Sequence, residues 1–183
     1  MKNCFRLTIA LCALLAFYLP SSAQSTISAD TIKAQLLKDW QRAKDYTIEY
    51  LNTMPADKYG ARPVDSIRSF AEQMLHLSMG NEGLISSATG AARIFNNRNL
   101  EKAPGAQSKD SVMYFVSASY DYAINSIKNT DASKLGERVA RGRLSETRLT
   151  WLMKAFEHQT HHRGQCTIII RLQGIRPPNE RLF

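Results

Sequence analysis

Cysteine is scarce in this sequence, with three residues among 183. Two of them, Cys4 and Cys12, lie in an N-terminal segment that we expect to be removed, which leaves Cys166 alone. A single cysteine cannot form an internal disulfide, so the class of small disulfide-held domains is excluded. The remaining chain of about 160 residues is long enough to be held by a hydrophobic core.

A hydrophobic run long enough to span a bilayer is also missing. The apolar stretch 7–19 is shorter than the roughly 20 residues that a transmembrane helix needs. It follows the basic Lys2 and Arg6 and precedes small residues ending at Ala23, which is typical of a signal peptide covering residues 1–23. We therefore expect an exported protein, periplasmic or secreted, with no stable membrane anchor and one domain at 24–183.

Acidic residues are fewer than basic ones, and the formal charge is +8. The signal peptide carries Lys2 and Arg6 but no acidic residue, so cleavage lowers this charge to +6. Export and the lack of a nucleic-acid-binding motif argue against nucleic acid as a partner. A basic run is either a solvated face or an attraction for an anionic substrate. Its members are Lys134, Arg138, Arg141 and Arg143.

Strand-like alternation of useful length and internal repeats are absent, whereas apolar residues recur every three or four positions in four segments. The pattern predicts an all-α chain folded as a single four-helix bundle. The first helix begins at Ser28 or Asp30 and ends before Pro55, and the second covers about 64–87 with Pro63 in its first turn. The third covers about 108–128, and the fourth runs from about Ser145 to Gly174, with Ile168, Ile169 and Ile170 inside it. Residues 90–107 are predicted as a loop with a helical turn at 92–95.

Three of the four histidines lie within five residues, on the fourth predicted helix. His158 and His162 are four positions apart, so both imidazoles can aim at one point. The remaining candidate for a third donor is His76, in the middle of the second predicted helix. His161 is rotated about 100° from His162 and is expected outside the ligand set. The alternative is that these histidines are hydrogen-bonded core residues.

Two longer motifs surround these histidines. Residues 158–165 read HQTHHRGQ, and after an apolar run residues 172–178 read LQGIRPP. Residues 55–63 read PADKYGARP, followed by RSF at 68–70 and then His76. In this order the motifs resemble the DinB/YfiT-like family of metal-dependent enzymes over about residues 28–178. The resemblance implies an up-down-down-up bundle and the metal ligands His76, His158 and His162.

A site of three neutral imidazoles has a definite chemistry. It leaves at least one coordination position open, as catalytic metal sites do. Nitrogen donors favour a divalent transition metal, with Zn or Ni foremost here. The ion keeps its full charge and lowers the pKa of a bound water or thiol. Because the family includes thiol-dependent S-transferases, the resemblance implies a transferase or hydrolase whose small-molecule substrate is a thiol or an anionic compound.

Other residues near the motifs have less certain roles. Asn81, His161 and Gln165 are candidates to orient the ligands or the substrate, with surface or packing roles equally open. Cys166 is expected in the core. The sequence identifies no catalytic residue, and the metalloprotease motif H-E-x-x-H is absent. The alternative function is a metal-binding or partner-binding bundle without catalysis, and a homodimer is left open.

Overall fold

The computed structural model describes residues 26–183 except Asn97. The signal peptide predicted at 1–23 lies outside the described residues. Within them the chain forms four long helices and one small β-hairpin, so the all-α prediction is confirmed and the sheet is a minor addition. None of the described helices combines the length and apolar character needed to cross a membrane.

The first two helices begin at serine caps. Helix α1, Ala29–Thr53, has Ser28 as its N-cap, and a short 3-10 turn, Ala56–Lys58, follows it. Helix α2, Phe70–Thr89, begins six residues later than the sequence predicted. Its N-cap is Ser69, whose side chain accepts from the Glu72 backbone while the Glu72 carboxylate accepts from the Ser69 backbone. This capping box provides hydrogen-bond partners for backbone N–H groups at the start of α2. The sequence had placed that start near Pro63.

The second pair of helices is separated by the hairpin. Helix α3, Lys109–Asn129, is capped by Ser108, and a 3-10 segment, Ala132–Gly136, follows. Strands β1, Arg138–Arg141, and β2, Leu144–Thr147, pair antiparallel. Helix α4, Arg148–Leu172, is capped by Thr147, so the predicted start at Ser145 falls inside β2. The predicted helical turn at 92–95 is not formed, whereas the isoleucine triplet is helical as expected.

Hydrogen bonds between the helices give their relative directions. Thr47 in α1 contacts Tyr120 in α3, and the Lys109 amine at the start of α3 donates to the Met54 carbonyl after α1, so these helices are antiparallel. Asn81 in α2 donates to Ser119, and the Tyr122 hydroxyl donates to the Ala91 carbonyl, so α2 and α3 are parallel.

Helix α4 closes the bundle. The Arg163 guanidinium donates to Thr47 and the Tyr50 hydroxyl bonds the Thr167 hydroxyl, so α4 is parallel to α1. Arg148 at the start of α4 donates to the Ala88 carbonyl at the end of α2, which makes these two antiparallel. The order is therefore up-down-down-up, as the resemblance implied, and the long connection 90–108 joins the two parallel helices.

The core lies between all four helices and is built from their apolar faces. Trp40 of α1 packs edge-on against Tyr120 and Phe156, with ring centroids 5.8 and 5.7 Å apart. Cys166 is fully buried in the same cluster, as predicted for a core residue. The apolar faces of the four helices thus hold α2 and α4 side by side.

Candidate metal centre

One face of α2 carries residues at spacings of three and four. These positions, Gln73, His76, Gly80 and Gly83, lie along a stripe that faces α4. The α2–α4 contact brings this stripe against the histidine segment of the opposite helix. Its two glycines lack side chains, which lets groups from other parts of the chain approach the helix closely.

The structure brings together the three histidines that the sequence predicted as ligands. His76, His158 and His162 each offer a nitrogen, and these nitrogens lie within 4.8 Å of one another. The ring centroids are 4.5 Å apart for His162 with each partner and 5.3 Å apart for the other pair. Three rings on two antiparallel helices therefore converge, which a set of unrelated core histidines would not do.

His76 has a carboxylate behind it. Its Nδ1 donates to Glu101 Oε1 at 2.7 Å, and the other carboxylate oxygen accepts from Arg68 Nε at 2.6 Å. Burial alone would raise the pKa of Glu101, but the bonds from Arg68 and His76 hold that pKa below its usual value. The ionised Glu101 keeps the His76 proton on Nδ1 and leaves the Nε2 lone pair for the site.

His162 is positioned by an amide. Its Nδ1 donates to Gln73 Oε1 at 2.8 Å. The Gln73 amide nitrogen donates to Gln165 Oε1, and the Gln165 amide donates to His161 Nε2 at 2.6 Å. This chain of donors fixes the orientation of Gln73 and hence the tautomer of His162, whose Nε2 is left as the free nitrogen.

His158 lies directly against the backbone of α2. A Cβ atom built on Gly80 would overlap the Cε1 and Nδ1 atoms of the His158 ring. The Nδ1 of His158 is buried and has no hydrogen-bond partner among the residues described. A buried nitrogen without a hydrogen-bond partner lowers the stability of the folded state. At this nitrogen the ring is held by its packing against Gly80.

Burial keeps two of these rings neutral. It lowers the pKa of His158 to about 4, with a smaller contribution from His76, and it lowers the pKa of His162 to about 3, with a contribution from His158. His162 is 6% exposed, consistent with this cause. Neutral imidazoles are the form that binds metal, so these two rings stay in the ligating state well below neutral pH.

The three residues predicted to support the ligands lie in two different places. Gln165 and His161 belong to the amide chain behind His162, and His161 is outside the convergent trio as expected. Asn81 faces α3 instead, where its amide donates to Ser119 at 3.2 Å. The reason is angular, because a residue five positions after His76 lies about 140° around the helix from it.

Sequence reasoning missed the two groups that hold the ligand rings. Gln73 was identifiable in principle, since it lies three residues before His76 on the same helix face. Glu101 had no such signal, because it comes from the long connection between α2 and α3, where spacing carries no information. Gly80 was also missed, although it is the glycine at which the His158 ring lies against the helix.

An open cavity adjoins the histidines. It has a volume of about 470 Å³, a size suited to a small molecule, and its wall includes His76 and His158. Three arginines and two acidic residues also line it. A larger cavity of about 860 Å³ lies between α3 and the end of α2, but none of the histidines lines it. The cavity beside the trio is therefore the one that chemistry at the histidines would use.

The sequence and this geometry agree with one family. The DinB family model matches residues 24–181. The chain belongs to the DinB family. No curated protein matches the sequence significantly.

Solved structures of DinB-like proteins share the fold. One from Bacillus cereus ATCC 10987 superposes with a TM-score of 0.68 at 18% identity, covering 80% of this chain and 95% of that one. The DinB-like protein YjoA from Bacillus subtilis gives a TM-score of 0.62 at 16% identity, covering 81% and 96%. A conserved protein from Enterococcus faecalis gives 0.63 at 15% identity, covering 77% and 96%. At these identities the likeness establishes the fold alone.

The DinB-family histidines fit a transition metal. Zn–N bonds of about 2.0–2.1 Å allow two donors on one ion to lie at most about 4.2 Å apart. All pairs of ligand nitrogens lie within 4.8 Å of one another, so a closure of at most a few tenths of an ångström brings the rings onto one ion. The buried Nδ1 of His158 has no hydrogen-bond partner that would fix the tautomer of the ring, so either ring nitrogen can carry the lone pair that binds a metal.

Proposed function

We propose that this DinB-family protein is an exported metal-dependent enzyme that transfers or hydrolyses a small molecule. His76, His158 and His162 would hold one divalent transition metal, most suitably Zn or Ni. The observation that carries the proposal is the convergence of three imidazoles, with nitrogens within 4.8 Å, beside an open cavity. When bound, such an ion supplies Lewis acidity that lowers the pKa of a water or thiol.

The chain's own residues prepare this chemistry. Glu101 and Gln73 accept hydrogen bonds from the Nδ1–H groups of His76 and His162. The Nε2 atoms of these rings therefore carry the lone pairs before a metal binds. Such outer contacts typically contribute a factor of about 10–100 to metal affinity or activity. Burial of His162 keeps protons from competing for the ligand nitrogen at neutral pH.

The cavity favours an enzyme over a binding-only bundle. A closed structural site has four protein ligands, whereas a catalytic site keeps a position open. The described residues contribute three metal-ligating groups to the cluster, and the cavity reaches two of them. A small substrate entering there would meet the open side of the site.

Metal analysis combined with substitution tests the proposal. Protein purified without a tag or chelator should contain about one metal per chain, while His158→Ala should bind none and remain folded. His161→Ala is the matched control, since it removes an imidazole from the same helix outside the trio. It should keep the metal, with a smaller loss of affinity because only the outer end of the amide chain behind His162 is removed. Turnover of thiol and ester substrates should disappear with the metal.

Two results would contradict the proposed metal-dependent activity. If the wild-type protein binds no transition metal at micromolar concentration, the centre is not a metal site. If it binds metal but turnover is the same in His76→Ala, His158→Ala and His162→Ala variants, the metal takes no part in the reaction and its site is a binding site only.

Export is the second part of the proposal and depends on residues 1–23 alone. The basic start, the apolar stretch 7–19 and the small residues before Ala23 support cleavage after Ala23. N-terminal sequencing of the protein from its native host should begin at Gln24. A cytosolic protein beginning at Met1 would remove this part and leave the metal centre unaffected.

A further inference from the structure

Three guanidinium groups line the cavity beside the histidines. Arg93 and Arg98 come from the connection between α2 and α3, and Arg141 comes from the end of strand β1. These segments are far apart in sequence, so the cluster exists only in the folded chain. The sequence had pointed to Arg141 only as one member of a basic run.

Two of these groups meet above Gly83. A Cβ atom built on Gly83 would lie 3.4 Å from Arg141 Nη2 and 3.5 Å from Arg93 Nη2. Both guanidinium ends therefore lie over one point of the helix, where glycine leaves space for them. An anion bound over this point of the helix would be attracted by both guanidinium groups.

The acidic residues of the cavity are already engaged. Glu101 is bound by Arg68 and His76, and Glu82 accepts from the backbone N–H of Phe95. Arg98 and Arg141 form no ion pair with any residue in the described part of the chain. The cavity wall therefore has three guanidinium groups against two carboxylates, and two of these groups, those of Arg98 and Arg141, have no ion-pair partner among the described residues.

This cluster is close to the metal centre. Gly83 lies three residues after Gly80, a rise of about 4.5 Å along the helix, and the His158 ring lies against Gly80. A molecule held over Gly83 is thus within about one helical turn of His158. Guanidinium groups suit planar, two-point recognition of carboxylate and phosphate.

We propose that Arg141, with Arg93 and Arg98, forms a subsite for an anionic group, a carboxylate or a phosphate, on the substrate of the proposed metal centre. This inference builds on the proposed function and specifies its substrate class. The anionic group binds over Gly83, and the reacting group of the same molecule reaches the histidines. The substrate is then a small molecule with its charge only a few bonds from the reacting atom.

Calorimetric titration of the metal-free mature protein with inorganic phosphate and, separately, succinate tests the subsite. Without metal, neither anion can bind an ion instead of the arginines. The wild-type protein should bind at least one anion, and the tighter one identifies the group as phosphate or carboxylate. Arg141→Ala should weaken that binding by about tenfold or more, since a charged hydrogen-bond donor is lost, and Arg98→Ala should weaken it as well.

The matched control is Arg143→Ala, which removes the same charge two residues away in the same hairpin, outside the cavity lining. It should bind the anion as the wild type does. Equal affinities for Arg141→Ala and Arg143→Ala, or no binding of either anion by the wild type, would overturn the subsite. Zinc titration of the wild-type protein separates the two proposals: a wild type that binds zinc but neither anion refutes only the subsite, and a wild type that binds an anion but no zinc refutes only the metal centre.

Discussion

The ligand rings are oriented by neighbours of different kinds. Glu101 orients His76 through a carboxylate, Gln73 orients His162 through an amide, and His158 is confined by the bare backbone of Gly80. Glycine inside a helix costs roughly 1 kcal/mol relative to alanine. At Gly80 that cost is offset by the close approach of an imidazole that no other residue would permit.

Gly80→Ala is therefore expected to damage the metal centre. The added methyl overlaps the His158 ring, which has to move and takes its nitrogen away from the other two. Zinc affinity, measured by competition with a chelator, should fall at least about tenfold, comparable to the loss of an outer contact. Gly83→Ala is the control, because its Cβ would meet only arginine side-chain ends at 3.4 Å or more and should leave zinc affinity intact.

The depressed histidine pKa values make the stability of the metal-free protein depend on pH. In the unfolded chain the imidazoles bind protons near pH 6.5, whereas His158 and His162 in the folded chain do so only near 4 and 3. The contribution of the two neutral rings to the free energy of unfolding is complete above pH 6.5. It is lost as the pH falls toward 4, because the unfolded state then binds more protons than the folded state.

Urea unfolding of metal-free protein between pH 7.5 and 4.5 measures this dependence. The wild type should lose more stability over the interval than a variant carrying both His158→Gln and His162→Gln. Carboxylates titrate in both proteins, so the difference isolates the imidazoles. Equal slopes would mean that the two rings are protonated as readily in the folded protein as in the unfolded chain.

At the scale of elements, the start of α2 shows how local chemistry positions the site. Ser69 and Glu72 exchange hydrogen bonds at the helix end, and Arg62 pairs with the Glu72 carboxylate at 3.2 Å. The next residue before the cap, Arg68, binds Glu101. The segment that begins the helix therefore also holds the carboxylate behind His76.

Replacing Ser69 by alanine should lower the free energy of unfolding by about 1 kcal/mol, since one side-chain cap is lost. Equilibrium denaturation in urea gives the value. Ser66→Ala, at an exposed position of the preceding loop, should change stability by less than about 0.5 kcal/mol. If the two variants are equally stable, the capping box does not contribute to the fold.

At the scale of the whole molecule, the core and the histidine cluster are separable. The core consists of apolar side chains from all four helices, while the histidines lie at the α2–α4 contact beside a cavity. A bound ion stabilises the folded state by mass action, by about 2.7 kcal/mol when its concentration is 100 times the dissociation constant. It does not create that state.

Chelation should consequently lower the melting temperature without unfolding the protein. Excess zinc should raise the melting temperature measured by far-UV circular dichroism, and EDTA should return it to the metal-free value. The helical spectrum at 25 °C should be the same in both conditions. His158→Ala should show no response to zinc. Loss of the helical spectrum in EDTA would make the metal a structural element of the bundle.

The sequence determined the features that depend on local spacing. Helical periodicity predicted four helices, and the i,i+4 pair His158 and His162 together with the surrounding motifs predicted the histidine cluster and indicated the family. The second helix was placed six residues early because Pro63 and apolar residues imitate a helix start, whereas the true boundary depends on the bonds that Ser69 makes.

Only the tertiary structure decided which groups act together at the site. Glu101, Arg93, Arg98 and Arg141 come from a loop and a hairpin, whose positions depend on packing and not on periodicity. The hairpin itself escaped prediction, because two four-residue strands are too short to show alternation. Long-range contacts of this kind are fixed by how the helices pack, so the spacing of residues along one segment cannot reveal them.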